Sequence, residues 1–600
     1  MIFDKHTLAM DIECYQNFFL VCFKSLQTGS FRAYRTPDLN TALIKTVLRD
    51  YRIVTFNGDN YDLPMLALAL RGASTAELKA ASDYIITEGA KSWQFYRKFD
   101  LEAPKVDHID LIEVAPGDGS LKLYGGRLHS RRLQDLPIEP DAIITPEQAE
   151  ELTCYCENDL DTTIDLYRSL EDKIALRAAM SEQYCIDLRS KSDVQIAEAV
   201  ITRMVAKETG QKPSRPSIRP GTVYHYQAPA YLQFQTEQMR LMLLEVAESQ
   251  FAIDEKGSPI EPPALKGRVV RIGQSDYRMG IGGLHSSEEK SVHLASNGYT
   301  LMDVDVASFY PSIILQCGLF PEHLGAVFLK VYRGIFDTRI AAKKSGDKTT
   351  NEVLKIVLNG SYGKLGSKWS ALYAPNLMLQ VTLTGQLSLL MLIEALELDG
   401  IAVVSANTDG VVLRFPDERI ADVRAHIAAW EKRTGFSMEE TQYRALFSRD
   451  VNNYLAIKPN GTVKGKGAFG EPSLSKNPQA AICGTAVKEF LAKGTPIAQT
   501  VIGCTDIRQF LVVRRVTGGA KLAEKPIGKV VRWYYGRGLS ESMHYVKASK
   551  HGTHNKVPDS DGAVPCMELP DTFPADVDFD RYISTANQIL SDLGVPCFQT

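Results

Sequence analysis

At 600 residues the chain exceeds one ordinary domain and, at about 150 residues per module, points to three to five of them. Apolar residues make up 44% of it and no run approaches bilayer-spanning length, so a soluble globular protein with no membrane partner is expected; a net charge of −4 gives no overall signature of a nucleic-acid binder. The ten cysteines are scattered, and the one close pair, Cys154 and Cys156, has no matching second pair, so core thiols are expected rather than a zinc site. The opening MIFDKHTLAMDIE has no charged-then-apolar leader and carries early acids, which points to a cytoplasm.

The first element, LAMDIECYQNFFLVCFKS, reads as a strand with Asp11 and Glu13 on one face, and two acids on one strand can share a metal ion. IVTFNGDNYDLPML runs from a β-branched strand into a loop holding Asn57, Asp59, Tyr61 and Asp62, then into a helical pattern. SLKLYGGRLHSRRLQDLP interleaves Lys122, Arg127, Arg131 and Arg132 with Tyr124 and His129, a mixture that suits single-stranded DNA and equally a solvated loop. TCYCENDLDTTIDLY has helical apolar spacing and brings Tyr155 and Asp159 to one face.

A connector follows, helical at both ends and Pro-rich in QKPSRPSIRPGTVYHYQAPA. GRVVRIGQSDYRMGIGGLHSS is a strand pattern leading to Gly280, Gly282 and Gly283, which permit a tight turn or close approach to a phosphate. In LMDVDVASFYPSII an apolar strand carries Asp303 and Asp305 on one edge. VFLKVYRGIFDTRIAAKKSGDKTTNEVLKIVLNGSYGKLGS reads as a helical hairpin broken at SGDK, with Arg339 and Lys343 on its first helix and a Lys355, Asn359, Tyr362 stripe on its second. IAVVSANTDGVVLRF is a β-hairpin with Asn407 and Asp409 at its tip. Beyond it, RDVNNYLAIKPNGTVKGKG holds Asn453, Tyr454, Lys464 and Lys466, whose lysines contact phosphates or line a solvated hairpin. From about residue 480 onward no motif stands out.

Each stretch alone is common by chance; their order is not. DVASFYPSII resembles the D-x-x-S-L-Y-P-S-I-I motif of family B DNA polymerases, departing only at Phe309. KIVLNGSYG resembles that family's K-x-x-x-N-S-x-Y-G, with Gly360 for Ser, and SANTDG keeps Thr408 and Asp409 of Y-G-D-T-D-S. Gly280 stands where the family's Y-x-G-G segment has its Tyr. Asp11 with Glu13, Asn57 with Asp62, and Tyr155 with Asp159 resemble the three motifs of proofreading exonucleases.

The resemblance implies an α/β multidomain fold, an RNase H-like exonuclease domain followed by a right-hand polymerase. Residues 1–175 would be exonuclease, 176–265 connector, 266–325 and 373–450 palm, 326–372 fingers, and 451–600 thumb and C-terminal region. It implies primer-dependent DNA synthesis from dNTPs with 3′-to-5′ proofreading. The metal ligands would be Asp305, Asp409 and the Val306 carbonyl in one centre and Asp11, Glu13, Asp62 and Asp159 in the other, each holding two Mg²⁺ or Mn²⁺ ions. Tyr155 would orient the attacking water, and Asp59, Asp110 and Asp161 rank below the four acids. Arg339, Lys343 and Lys355 would offset triphosphate charge, Asn359 and Tyr362 border the incoming base pair, and Tyr310 exclude a ribose 2′-hydroxyl. Primer-template DNA and a single-stranded 3′ end would be partners, with a helicase, single-strand binding protein or processivity factor, in a phage-infected bacterial cytoplasm. Two readings stay open beside this one: chiefly an exonuclease, or a DNA-binding factor, with a polymerase centre weakened by Asn407. The intervals Asp305 to Lys355 and Gly363 to Asn407 leave no room for the insertions of protein-primed relatives, so an ordinary nucleic-acid primer is expected.

Overall fold

Alternation over Thr7–Cys14 makes the first strand, β1, and decides what lies on either side of it. Met10 and Ile12 enter one core with Phe19, Val21, Leu66 and Phe95, while Ala9, two residues from Asp11 and on its face of the strand, enters another with Leu20, Cys22, Leu152 and Cys156. β1 joins β2 (Phe19–Ser25), β3 (Phe31–Arg35), β4 (Arg52–Thr55) and β5 (Asp107–Asp110) in a sheet of order β3-β2-β1-β4-β5. The first three are antiparallel neighbours, and β4 and β5 add in parallel. This is a computed structural model, and it describes residues 6–546 and 554–595; residues 1–5, which open the stretch read for a leader, lie outside the described residues.

The chain divides into two compact units. The first comprises Met1–Ser192, Pro472–Ile482 and Val501–Tyr582, the second Asp193–Glu471, Cys483–Thr500 and Ile583–Thr600, so 451–600 is shared between them. In the first unit, helix Pro146–Ser169 lies on the Ala9 side of the sheet; Thr145 caps it in a reciprocal box with Gln148, and Pro146 begins it. The same unit holds a five-stranded sheet built on the pair Val512–Leu522 and Lys525–Tyr535. Fully buried Arg532 fastens this sheet to the turn after helix Leu121–Leu128, donating to the Ser130 and Cys566 carbonyls at 2.7 Å each.

The second unit is organised by a seven-stranded antiparallel sheet. Its order is Met438–Tyr443, Tyr299–Val306, Gly410–Pro416, Ala402–Asn407, His285–Ser286, Ser275–Arg278, Val269–Ile272. Helix Pro375–Leu398 corrects one expectation: its 24 residues, with a mean hydropathy of 1.4 over the most apolar 18, meet the length and composition of a membrane span. It is instead a core helix, 83% buried over its most apolar window, with Ser388 accepting a hydrogen bond from Trp430 at 2.8 Å. The helical hairpin forms as Val327–Ser345 and Lys348–Leu365, broken by left-handed Gly346 and restarted by the Asp347 cap on Thr350. Gly360 faces helix Asp193–Thr209 so closely that a Cβ there would stand 2.8 Å from the Asp193 carbonyl and 2.9 Å from Ala197 Cβ. That close approach accounts for glycine where the motif carries serine.

Two candidate carboxylate centres

In the first unit Asp11 and Glu13 project from β1 toward helix Pro146–Ser169, which supplies Tyr155, Cys156 and Asp159. Asp62, 2% exposed, opens helix Asp62–Leu70, and its Oδ1 has no hydrogen-bond partner among the described residues. Burial, then the charge of Asp159, pushes the Asp11 carboxyl up to about 7. Burial and the Asp11 charge likewise hold Glu13 and Asp62 well above the carboxylate range. Burial raises Asp159 too, against the opposing charge of Lys122. Lys122 Nζ lies 3.5 Å from Asp159 Oδ2 and donates to the Tyr155 hydroxyl and, at 2.6 Å, to the Gln134 carbonyl. Its place inside this centre was not legible from a basic loop.

The acids ranked below these four are occupied elsewhere. Asp59 Oδ1 lies 3.1 Å from His108 Nδ1, and Asp161 pairs with Lys24 at 2.7 Å. Asp110 accepts the loop amides of Asn57 at 2.7 Å and Asp59 at 3.0 Å, which shapes the turn that presents Asp62. Of the two close thiols, Cys156 is buried and Cys154 exposed, so the expectation of core thiols fails for Cys154, which takes the solvent side of the helix.

In the second unit Asp305 lies near the end of the central strand, in register with Gly410 on one side and Glu439 on the other. The Val306 amide donates to the Asp409 carbonyl at 2.7 Å, fixing the hairpin tip beside Asp305. Burial, then the charge of Asp303, pushes Asp305 up to about 6, and burial raises Asp409. Asp303, 5% exposed, is the companion that does not face outward: it accepts from Tyr443 and, at 3.2 Å, from Lys464. Lys464, expected at a phosphate, is thus engaged by an acid 161 residues away in sequence. Asn407 donates to the Val451 carbonyl at 3.4 Å and accepts from Thr408 at 3.0 Å, so its amide braces the tip.

The helical hairpin supplies the cations. Arg339 donates to Ser308, whose left-handed φ of 52° turns the strand into helix Phe309–Gln316, and the buried Arg339 Nε has no partner among the described residues. Lys343 pairs with Glu439, and Lys355, exposed, lies only loosely at 3.8 Å from Glu352. Asn359 is exposed one turn on, and Tyr362 packs on Tyr310 with ring centres 4.2 Å apart. The glycine segment is clamped by Gln386, which accepts from Gly280 at 3.1 Å and donates to its carbonyl at 2.7 Å. Gly280 to Gly283 line an open cleft of about 640 Å³ with Arg278, His285 and Asn452.

Comparison with known proteins gives partial matches. The chain is 27% identical over 213 residues to DNA polymerase 1 of Aeropyrum pernix, covering 29% of this chain and 22% of that protein. It is 27% identical over 187 residues to DNA polymerase II of Escherichia coli, covering 25% of this chain and 24% of that protein. The matches therefore span less than a quarter of either relative. A solved family B DNA polymerase from the hyperthermophilic archaeon Pyrobaculum calidifontis aligns over 99% of this chain and 79% of its own, at 14% identity and a TM-score of 0.42. No family model matches. The family B DNA polymerases are the family this chain resembles, on its ordered motifs and on these curated relatives together.

Proposed function

We propose that the chain is a DNA-directed DNA polymerase with a separate 3′-to-5′ exonuclease, the second unit synthesising and the first unit proofreading. The observation that carries this reading is the pair of carboxylate centres, one in each unit, on strands whose sequences match the family's motifs in order. The first unit's sheet order, with a long helix bearing Tyr155 and Asp159, is consistent with an RNase H-like exonuclease. The second unit's antiparallel sheet and helical hairpin are consistent with palm and fingers. The C-terminal residues, taken by order, would supply the thumb.

Both centres fit divalent cations. Their carboxylates offer oxygen donors, crowding and burial hold these carboxyls above their usual range, and Asp62 Oδ1 is buried without a partner among the described residues. Asp11, Glu13, Asp62 and Asp159 would hold the ions of the first centre, and Asp305, Asp409 and the Val306 carbonyl those of the second. Bound Mg²⁺ or Mn²⁺ supplies an activated water or primer 3′-hydroxyl and neutralises charge on the leaving oxygen. The chain's own groups do the rest. Lys122 holds the Tyr155 hydroxyl in place, and that hydroxyl orients the attacking water. Arg339 and Lys355 bind triphosphate oxygens, with Lys343 joining once it leaves Glu439. The packed rings of Tyr310 and Tyr362 wall the sugar and base, and the Tyr310 ring occupies the space a 2′-hydroxyl needs.

Asn407 does not favour a chain that only degrades or only binds DNA, because its amide braces the hairpin tip while half-buried Asp305 and exposed Asp409 keep their carboxylates beside it. The short intervals between motifs favour a compact phage-type replicative enzyme that starts from a nucleic-acid 3′ end and works with a helicase and single-strand binding protein in a host cytoplasm. Primer extension on primed circular DNA with Mg²⁺ and all four dNTPs, beside degradation of a single-stranded 3′ end, tests the reading. Both activities are expected, with synthesis stopping near one circle length; products many circles long would refute the dependence on a helicase.

A further inference from the structure

Thr55, His108 and Asp59 form a hydrogen-bonded line behind the loop that presents Asp62. Thr55 ends β4, from which the loop departs, and His108 lies on the parallel neighbour β5. The Thr55 hydroxyl stands 2.8 Å from His108 Nε2, and His108 Nδ1 stands 3.1 Å from Asp59 Oδ1. The bond to His108 holds the Asp59 carboxyl below its usual range, so it is ionised and only accepts. That places a proton on Nδ1 and leaves Nε2, in the neutral ring, to accept from the Thr55 hydroxyl. The order of groups is that of a hydrolytic triad, yet Thr55 is fully buried, and its oxygen accepts the Gly58 amide at 3.1 Å instead of facing a substrate.

The Gly58 peptide carries this line toward the carboxylate centre. Its amide is held by Thr55, and its carbonyl accepts the Leu63 amide at 2.9 Å, in the first turn of the helix that Asp62 opens. A Cβ on residue 58 would stand 2.0 Å from Thr55 Oγ1, so the peptide lies against the hydroxyl with no room for a side chain. Asn57 beside it takes a left-handed φ of 70°, which a non-glycine residue keeps only where its surroundings impose it. Asp110 holds the Asn57 and Asp59 amides; the line through His108 adds the Asp59 side chain and the Gly58 amide.

We propose that Thr55, His108 and Asp59 are positioning residues for 3′ degradation, fixing the loop conformation that sets where Asp62 stands. The proposal rests on reading the first centre as the degrading one. A carboxylate that wanders by about 1 Å holds its ion and the reacting water less well. Loss of the line therefore shows in kcat and in Mg²⁺ dependence, not in the KM for DNA.

The test uses the full chain. His108→Ala removes both hydrogen bonds and should lower kcat for single-stranded 3′ degradation about 10- to 100-fold, with the KM for DNA and the rate of primer extension within about twofold of wild type. Half-maximal degradation should need about tenfold more Mg²⁺. His108→Asn, whose side-chain amide places an N–H where Nδ1–H stood, should recover most of the lost rate by keeping Asp59 tethered. In chelator and without DNA, hydrogen exchange of the amides of residues 57–63 should quicken about tenfold in His108→Ala and return toward wild type in His108→Asn. Should His108→Ala fold poorly, Asp59→Ala cuts the line from its exposed end and should give the same separation of kcat from KM. Wild-type kcat, Mg²⁺ dependence and exchange in folded His108→Ala would overturn the proposal. Failure of the underlying reading looks different: degradation would then survive Asp11→Ala with Glu13→Ala.

Discussion

Replacing Gly410 by alanine should disable synthesis while leaving the protein folded. Gly410 pairs with Asp305 across the sheet, and a Cβ there would stand 2.0 Å from Asp305 Oδ1 and 3.0 Å from the Val304 carbonyl. Ordinary contact is about 3.5 Å, so the carboxylate must move by about 1.5 Å, since it is the freer of the two partners. Overpacking that a side chain can relieve costs about 1 kcal/mol of stability. A reacting group misplaced by about 1 Å, by contrast, costs about 10²-fold in rate, or about 2.7 kcal/mol of barrier. Single-turnover primer extension and a thermal melt read the two effects separately, and single-stranded degradation serves as the internal control. Extension within about threefold of wild type, with an unchanged melt, would refute the reasoning that glycine here makes room for the carboxylate.

Lys122→Met removes the donor to Tyr155 and the cation beside Asp159, and should lower 3′ degradation about 10- to 100-fold with extension unchanged; equal activity would remove its positioning role. Gly360→Ser restores the motif's usual residue but drives a side chain into helix Asp193–Thr209, and should cost about 1–3 kcal/mol, read as a lower denaturant midpoint. The Asp305 carboxyl titrates at about 6 when folded against 3.8 as a free side chain. The native state therefore binds this proton more tightly, so its ionisation costs stability above the folded value and the cost fades as pH falls toward the unfolded one. In chelator, Asp305→Asn should be more stable than wild type at about pH 7.5, and the difference should vanish near pH 4; a difference that grows on acidification contradicts the assigned burial.

Local periodicity made much of the fold legible. The β1 acids, the Tyr155–Asp159 helix face, the helical hairpin with its break at Gly346 and the hairpin tipped by Asp409 follow from spacing within a dozen or so residues. What stayed hidden depends on partners distant in sequence. Lys122 looked like part of a basic loop because Tyr155 and Asp159 meet it only in the fold, and Lys464 looked free because Asp303 is far upstream. Asp303 and Asp305 read alike on the strand, yet Tyr443 and Lys464 engage the first, buried, while the second is only half-buried beside the hairpin tip. The region after about residue 480 gave no signal because its sheet is pinned by long-range bonds such as Arg532 to Ser130, and its strands carry paired glycines at positive φ, Gly518 and Gly519, that interrupt the alternation.

The central claim is that two activities reside in two separate carboxylate centres, and separation by mutation tests it most directly. Extension of a primed template and degradation of a single-stranded 3′ end should be measured side by side for wild type, Asp11→Ala with Glu13→Ala, and Asp305→Ala. The account predicts that the double variant loses degradation and keeps extension and that Asp305→Ala does the reverse; loss of both activities in either folded variant would contradict it.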